Sequence, residues 1–345
     1  MFGKSNNGIF TGRTGMMHKT KIVGTGSFVP KKVLTNADLS KFLDTTDEWI
    51  RTRTGIEERH ILAEGETGLD MAYEASLRVL EASKRSALQL NMIIMATSSP
   101  NQRLPGNSFL LQDRLGAKHA SVFDVSVACS GFLYGISIAD QFIKTGHDRT
   151  ILVVGQEAMS KVVDWTDRST CVLFGDAAGA VILEPALPQD EHQILLSTHL
   201  FANGSWAALL EAPGGGTAQA WTPESLKRGD HLVKMKGKEV FREAVDCMTQ
   251  ACLEALGKAK ITVQDIDVFI PHQANDRIVK AIAKRLRCPD EKIFVNLNKY
   301  GNTSAASIPL ALDEAVRSKK IKTGDLVLMA TFGAGFAWGS ALIRW

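Results

Sequence analysis

Three side chains of this sequence have the types and settings for thioester chemistry. They are Cys129 in Val127-Ala128-Cys129-Ser130-Gly131-Phe132, His272 in Pro271-His272-Gln273-Ala274-Asn275, and Asn302 in Tyr300-Gly301-Asn302-Thr303-Ser304-Ala305. A thiol flanked by small residues suits the tight entry to a helix, where aligned backbone N–H groups favour thiolate over thiol. A free cysteine titrates at about 8.5 and is only a few per cent ionised near neutrality, so the helix start is expected to pull the Cys129 thiol lower. His272 and Asn302 sit in turns punctuated by Pro or Gly and supply two hydrogen-bond donors for an oxygen that becomes negative during reaction. The set predicts acyl transfer with carbon–carbon bond formation. The neutral imidazole must donate, and its tautomer depends on a partner that the sequence does not identify.

Bringing three remote residues together requires a particular scaffold. Strand-like apolar runs occur at Met92–Ala96, Val122–Val127, Ile151–Val154, Ala180–Leu183, Val268–Ile270, Leu326–Ala330 and Ala341–Ile343. Helical periodicity lies between them, after Thr67 to about Ala82, over Gly237–Leu256 and over Ser304–Val316. Strands alternating with helices predict an α/β chain around a largely buried, mixed or parallel sheet. The halves also echo each other. A strand leads through Cys129 into a small-residue helix, then Ile143-Lys144-Thr145-Gly146 and another strand; a second strand leads through Asn302 into a helix, then Ile321-Lys322-Thr323-Gly324 and another strand. This order predicts two similar halves about a pseudo-twofold axis, with Cys129 and Asn302 at equivalent helix starts. His272 arrives from the end of a further strand.

Composition narrows the classes. With 345 residues, 45% hydrophobic and 22% charged, the chain has ample material for a large core. A net charge of +3 is too mild to imply nucleic acid. The five cysteines are odd in number and form no CxxC pair, which argues against a disulfide framework or zinc site and for a reducing cytoplasm. Cys247 and Cys252, on an apolar helix, are expected to be buried small hydrophobes. Residues 1–17 are rich in Gly, Asn, Ser and Thr without the apolar core of a signal peptide, and are expected to be a disordered extension. No apolar stretch reaches the length of a membrane span. Gly24-Thr25-Gly26 has Val29 where a dinucleotide fingerprint needs its third glycine, so no such cofactor is expected.

In combination, the motifs resemble the β-ketoacyl-acyl carrier protein synthases of type III, members of the thiolase-like fold. The resemblance runs from about Lys21 to Trp345 and rests on Asp47-Glu48-Trp49-Ile50 with Arg53-Thr54-Gly55-Ile56, the Cys129 turn, Thr166-Asp167-Arg168, Leu173-Phe174-Gly175-Asp176, the His272 and Asn302 motifs, and Phe332-Gly333-Ala334-Gly335-Phe336 with Trp338-Gly339. It implies a duplicated, five-layered αβαβα architecture, with one half at 18–189 carrying the nucleophile and the other at 190–345 carrying His272 and Asn302. It further implies a cytoplasmic homodimer that takes an acyl group from coenzyme A onto Cys129 and condenses it with malonyl-acyl carrier protein, without a cofactor or metal. Acetyl-coenzyme A is the expected primer, with branched or longer primers left open by Leu104 in Gln102-Arg103-Leu104-Pro105-Gly106.

Site roles follow from the same resemblance. The amides of Cys129 and Ala334 are implied to hold the acyl oxyanion, and His272 with Asn302 the malonyl enolate. Trp49, Arg53 and Arg168 are implied coenzyme A contacts. Phe174 and Leu104, the latter through a dimer partner, are implied to wall the acyl pocket. Arg277, Lys280 and Lys284 share one side of an amphipathic helix spanning 274–286, implied to dock the acidic carrier protein with Arg242 beside it. Ala177 stands where this family often has glycine, and Lys238 where a small polar residue is common. Plant-type polyketide synthases share the Cys-His-Asn set but lack the Trp49 and Arg53 motif. An acyltransferase to oxygen or nitrogen needs no enolate clamp, a non-catalytic carrier-protein partner needs no nucleophile, and a papain-like protease is expected to be disulfide-rich.

Overall fold

The computed structural model describes residues 18–147 and 149–345, so the expected extension at 1–17 lies outside the described residues. Nine strands form one sheet: β1 (Thr20–Phe28), β2 (Met92–Ala96), β3 (Ser121–Val125), β4 (Ile151–Ala158), β5 (Asp176–Pro185), β6 (Ile194–Ala202), β7 (Val268–Pro271), β8 (Leu326–Gly333) and β9 (Ala337–Arg344). Their spatial order is β7-β8-β9-β6-β1-β5-β4-β2-β3. The helices that matter for function are α1 (Asp47–Thr54), α2 (Gly68–Ser83), α3 (Gly131–Lys144), α4 (Gly237–Ala259), α5 (Asp276–Leu286) and α6 (Ser307–Arg317).

The internal echo reappears in the sheet. In the first half, β2 pairs in parallel with β3 and β4, β4 pairs antiparallel with β5, and β5 antiparallel with β1. In the second, β7 pairs in parallel with β8 and bridges Ile293 from Phe269 in the same sense, while β8, β9 and β6 follow antiparallel. The two runs meet where Thr20 and Lys21 oppose Leu195 and Ile194. The sheet is therefore mixed and continuous through that seam.

Strand alternation sorts side chains into layers. Ile93 and Met95 of β2 face α2 through Met71, Ala75 and Val79, whereas Met92 and Ile94 face α3 through Phe132 and Ile136. Val327 and Met329 of β8 join that same inner cluster with Ile308 and Leu312 of α6, while Leu328 and Ala330 face α4 and α5. The layers thus run helix, strand, helix, strand, helix, with α3 and α6 in the middle. All five β2 side chains are buried, as a strand paired on both edges and covered on both faces requires.

Element boundaries shift modestly. The expected run Val122–Val127 ends at Val125, because Ala128–Ser130 turns as a 3₁₀ helix before α3. Ser304–Ala306 is a matching 3₁₀ turn before α6, rather than part of one helix from Ser304. Ile194–Ala202 has the half-buried, mixed-polarity pattern of a strand without a continuous apolar run.

Candidate active site

The turn that carries Cys129 is fixed from three directions. Ala128 adopts φ 44°, Thr331 Oγ1 donates to the Cys129 carbonyl at 2.9 Å, and Ser130 Oγ donates to the Ala337 carbonyl at 2.7 Å. Gly131 is required by contact: a Cβ there would lie 2.8 Å from the Ala96 Cβ and 3.7 Å from that of Ala305. Gly333 is required more directly, since its Cβ would stand 2.7 Å from the Cys129 amide nitrogen and 2.9 Å from that of Ser130. The backbone bearing Ala334 therefore reaches the amide end of the cysteine turn.

Asn302 belongs to the equivalent turn. Its amide donates to the Leu173 carbonyl at 2.7 Å and its carbonyl accepts from Gly175 N–H at 3.1 Å, a bridge that seats Phe174 alongside. The Ser304 amide donates to Asn302 Oδ1 at 2.8 Å, so the side-chain acceptor is committed and Nδ2 is the end left to donate. Beneath this bridge lies the fully buried Arg59, which donates to the carbonyls of Leu34 and Val172 and to Asn36 Oδ1.

His272 follows β7, where its amide donates to the Ala330 carbonyl at 2.8 Å. Its side chain is 2% exposed, and Nδ1 is enclosed without a hydrogen-bond partner among the described residues. The partner expected to set the tautomer is thus replaced by plain enclosure. A buried N–H without an acceptor is the rarer and costlier defect, so the proton belongs on Nε2.

Cys129, His272, Asn302, Phe174 and Ala334 line one cavity of about 400 Å³, with Gly333 and Ser304 in the same wall. Burial controls its electrostatics. It pushes the Cys129 thiol up to about 12 and the His272 imidazole down to about 3. The lowering expected from the helix start is opposed by this burial, which raises the thiol by stripping water from the charged form. The resting site is a neutral thiol beside a neutral imidazole. Cys247 is also pushed up to about 12 by burial, in keeping with an apolar role, and all five cysteines are buried and free.

Two residues of this site carried no separate signal in the sequence. Ser304 lines the cavity with Cys129 and donates through Oγ to Glu157 Oε1 at 3.1 Å; Glu157 is fully buried, and burial lifts its carboxyl to about 7. A polar Gln156-Glu157 pair ending an apolar strand was the available clue.

The proposed coenzyme A contacts lie outside the cavity but adjoin it. Trp49 is half-buried against the apolar cluster that contains the cavity-lining Phe174. The Arg53 and Arg168 guanidinium carbons lie 4.5 and 5.2 Å from the Trp49 ring centroid, and Arg168 also pairs with Asp44 at 3.1 Å. Asn275 joins the two regions, lining the cavity while its Nδ2 donates to the Arg53 carbonyl at 3.1 Å. Leu104 is 86% exposed and does not line this chain's own cavity.

On α5, Arg277, Lys280 and Lys284 are exposed and Ile278, Val279, Ile282 and Leu286 are buried. Arg277 stacks over Phe241 at 5.9 Å, Lys280 pairs with Asp276 at 2.5 Å, and Arg242 pairs with Glu243 at 2.7 Å. Lys284 has no ion-pair partner among the described residues. Lys238 is exposed beside Gly237, which lines the cavity, and Ala177 is fully buried. Among the described residues, no group of three His, Cys, Asp or Glu is placed to hold a metal ion, and no helix is long and apolar enough to cross a membrane.

Comparisons with known proteins point one way. Residues 123–214 match the family described as 3-oxoacyl-[acyl-carrier-protein (ACP)] synthase III, and residues 256–345 match the family of its C-terminal region. The chain is 49% identical over 326 residues to the beta-ketoacyl-[acyl-carrier-protein] synthase III of Xanthomonas campestris pv. campestris, covering 94% of this chain and 98% of that protein. It is 47% identical over 324 residues to the protein of the same name from Caldanaerobacter subterraneus subsp. tengcongensis, covering 94% and 97%. The crystal structure of 3-oxoacyl-[acyl-carrier-protein] synthase III from Aquifex aeolicus VF5 superposes with a TM-score of 0.87 at 48% identity, covering 94% of this chain and all of that one.

Proposed function

Because the chain belongs to the 3-oxoacyl-[acyl-carrier-protein] synthase III family, we propose that Cys129 accepts an acyl group from coenzyme A and passes it to malonyl-acyl carrier protein. The enzyme is an acyltransferase of the condensing type that initiates fatty-acid synthesis. The observation that carries the residue roles is that Cys129, His272 and Asn302, remote in sequence, line one cavity.

The reaction divides into three steps. Cys129 Sγ attacks the thioester carbonyl, the carbon–sulfur bond to coenzyme A breaks, and the thiol proton leaves with the departing sulfur. The amides of Cys129 and Ala334 hold the transient oxyanion. Malonyl-acyl carrier protein then enters, its carbon–carboxylate bond breaks, and carbon dioxide departs. His272 Nε2–H and Asn302 Nδ2–H hold the resulting enolate oxygen, each donor contributing roughly 3 kcal/mol. Finally the enolate carbon attacks the acyl carbonyl on Cys129, the acyl–sulfur bond breaks, and the sulfur regains a proton from solvent. A His272 that stays neutral suits a donor that must survive all three steps.

Around this centre, Trp49 with Arg53 and Arg168 would grip the adenine and phosphates of coenzyme A, and Phe174 would wall the acyl chain. The basic face of α5, with Arg242, would receive the acidic carrier protein. The enzyme would act in the cytoplasm as a homodimer, with Leu104 of one copy closing the pocket of the other. Residues 18–189 and 190–345 would be its two halves.

Intact-mass analysis after exposure to a panel of acyl-coenzyme A thioesters, then to malonyl-acyl carrier protein, tests this reading. A mass gain on Cys129 that disappears with release of carbon dioxide and a 3-oxoacyl carrier product is expected. An adduct that persists, with no carbon dioxide, would refute condensation.

A further inference from the structure

Glu157 takes no part in those steps, yet it is fully buried near the end of β4, one hydrogen bond away from the cavity-lining Ser304. Its hydrogen-bond partners are all neutral. Ser99 Oγ donates to Oε2 at 2.5 Å, the Ser98 amide reaches both oxygens at 3.1 and 3.2 Å, and Ser304 Oγ donates to Oε1 at 3.1 Å. The titratable groups nearby are Cys129 from the nucleophile turn, His272 on the same cavity, and Asp176 on the adjacent β5 strand. Asp176 is turned away, accepting from Ser160 and from the Leu62 amide. No lysine or arginine pairs with Glu157 among the described residues. A carboxyl enclosed in this way is poised between neutral and ionised forms.

Ser304 touches the carboxyl through Oγ and shares the cavity lining with Cys129. It is held at φ 48°, with its amide bound to Asn302 Oδ1. Hydrogen bonding from Ser304 favours the Cys129 thiolate, whereas charge on Glu157 opposes it. A serine hydroxyl has one hydrogen and two lone pairs. With Glu157 ionised, that hydrogen is committed to Oε1. With Glu157 neutral, the carboxyl can itself donate to Ser304 Oγ, and the serine hydrogen can turn to the sulfur.

We propose that Glu157 is a positioning residue for the nucleophile: in its neutral form it hands Ser304's hydroxyl hydrogen to the Cys129 sulfur as negative charge develops there, and in its ionised form it withdraws it. The device rests on the reading of Cys129 as nucleophile. It involves no net proton transfer, only a reversal of donor and acceptor along Glu157, Ser304 and Cys129. A carboxyl that titrates at about 7 places the reversal near neutral pH.

The test is the pH dependence of Cys129 alkylation by iodoacetamide and of its acylation by acetyl-coenzyme A, followed by intact mass in wild type, Glu157→Gln and Ser304→Ala. Glutamine mimics the neutral carboxyl at every pH. The Gln variant should therefore match wild type within about twofold at pH 6 and exceed it by about tenfold at pH 8.5. Ser304→Ala should lower the rate at pH 6 about tenfold and shrink the wild-type inflection near pH 7. Superimposable profiles for wild type and Glu157→Gln, or a loss equal at all pH values, would overturn the proposal. So would an unchanged inflection in Ser304→Ala, which keeps the test decisive if the Gln variant fails to fold. Absence of any adduct on Cys129 in all three proteins would instead overturn the nucleophile assignment beneath it.

Discussion

The Ser304 amide donates to Asn302 Oδ1 at 2.8 Å, which fixes the orientation of that side-chain amide and reserves its NH₂ for the cavity. A clamp made this way works only with a donor at the free end. Asn302→Ala should therefore lower malonyl decarboxylation by about a hundredfold or more while Cys129 acylation changes little. Asn302→Asp, which faces the enolate with an acceptor, should be no better than Ala. Carbon dioxide release beside intact-mass acylation separates the two steps.

The neutral thiol and neutral imidazole make a prediction about pH. With Cys129 pushed up to about 12, its alkylation should still be rising at pH 9, above the inflection that Glu157 imposes near neutrality. His272 acts on stability instead. Its folded value of about 3 lies below the unfolded value of about 6.5, so the unfolded chain takes up the proton first as pH falls. The stability it contributes is full above about 6.5 and is lost progressively toward pH 3. Urea unfolding at pH 7 and pH 4.5 should show a larger acid loss in wild type than in His272→Gln.

Gly333 leaves no room beside the Cys129 amide, since a Cβ would sit 2.7 Å from that nitrogen. Gly333→Ala should displace one oxyanion donor and slow acylation by about a hundredfold. Far-ultraviolet circular dichroism should remain that of wild type. Acylation at the wild-type rate would exclude this backbone from the oxyanion site.

Arg53 and Arg168 flank Trp49 at exposed positions, where each cation–π contact is worth about 0.5–1 kcal/mol. Arg168→Ala should raise KM for acyl-coenzyme A roughly threefold and leave kcat nearly unchanged. Trp49→Ala, which removes both contacts, should raise it further. Steady-state kinetics with acyl-coenzyme A varied will decide.

Lys284 has no ion-pair partner among the described residues, whereas Lys280 and Arg242 are engaged by Asp276 and Glu243. Lys284→Glu should therefore raise KM for malonyl-acyl carrier protein about tenfold, more than Lys280→Glu, and spare acyl-coenzyme A. The difference should shrink at high salt.

The motifs of Cys129, His272 and Asn302, which the fold brings to one cavity, were legible because each sits at a punctuated turn, and glycines such as Gly131 and Gly333 have no local reason to be there otherwise. The layered α/β plan followed from alternating apolar runs. The strand Ile194–Ala202 did not, since only its first two residues are buried and the rest are partly or fully exposed, without a hydrophobic stripe. Thiol ionisation was misjudged because local sequence reports a helix start but not how much water the fold removes. Glu157 escaped notice for the same reason: burial turns an ordinary carboxyl into an unusual one, and burial is a property of the whole chain.

The cysteine turn is pinned to β8 through Thr331 and to β9 through the Ala337 carbonyl, and it packs against the Asn302 turn where Gly131 meets Ala305. The spacing of the Cys129 and Asn302 turns is thus set by the middle of the molecule, and under the proposed roles divergence toward longer or branched primers would be written in the other side chains that line the cavity.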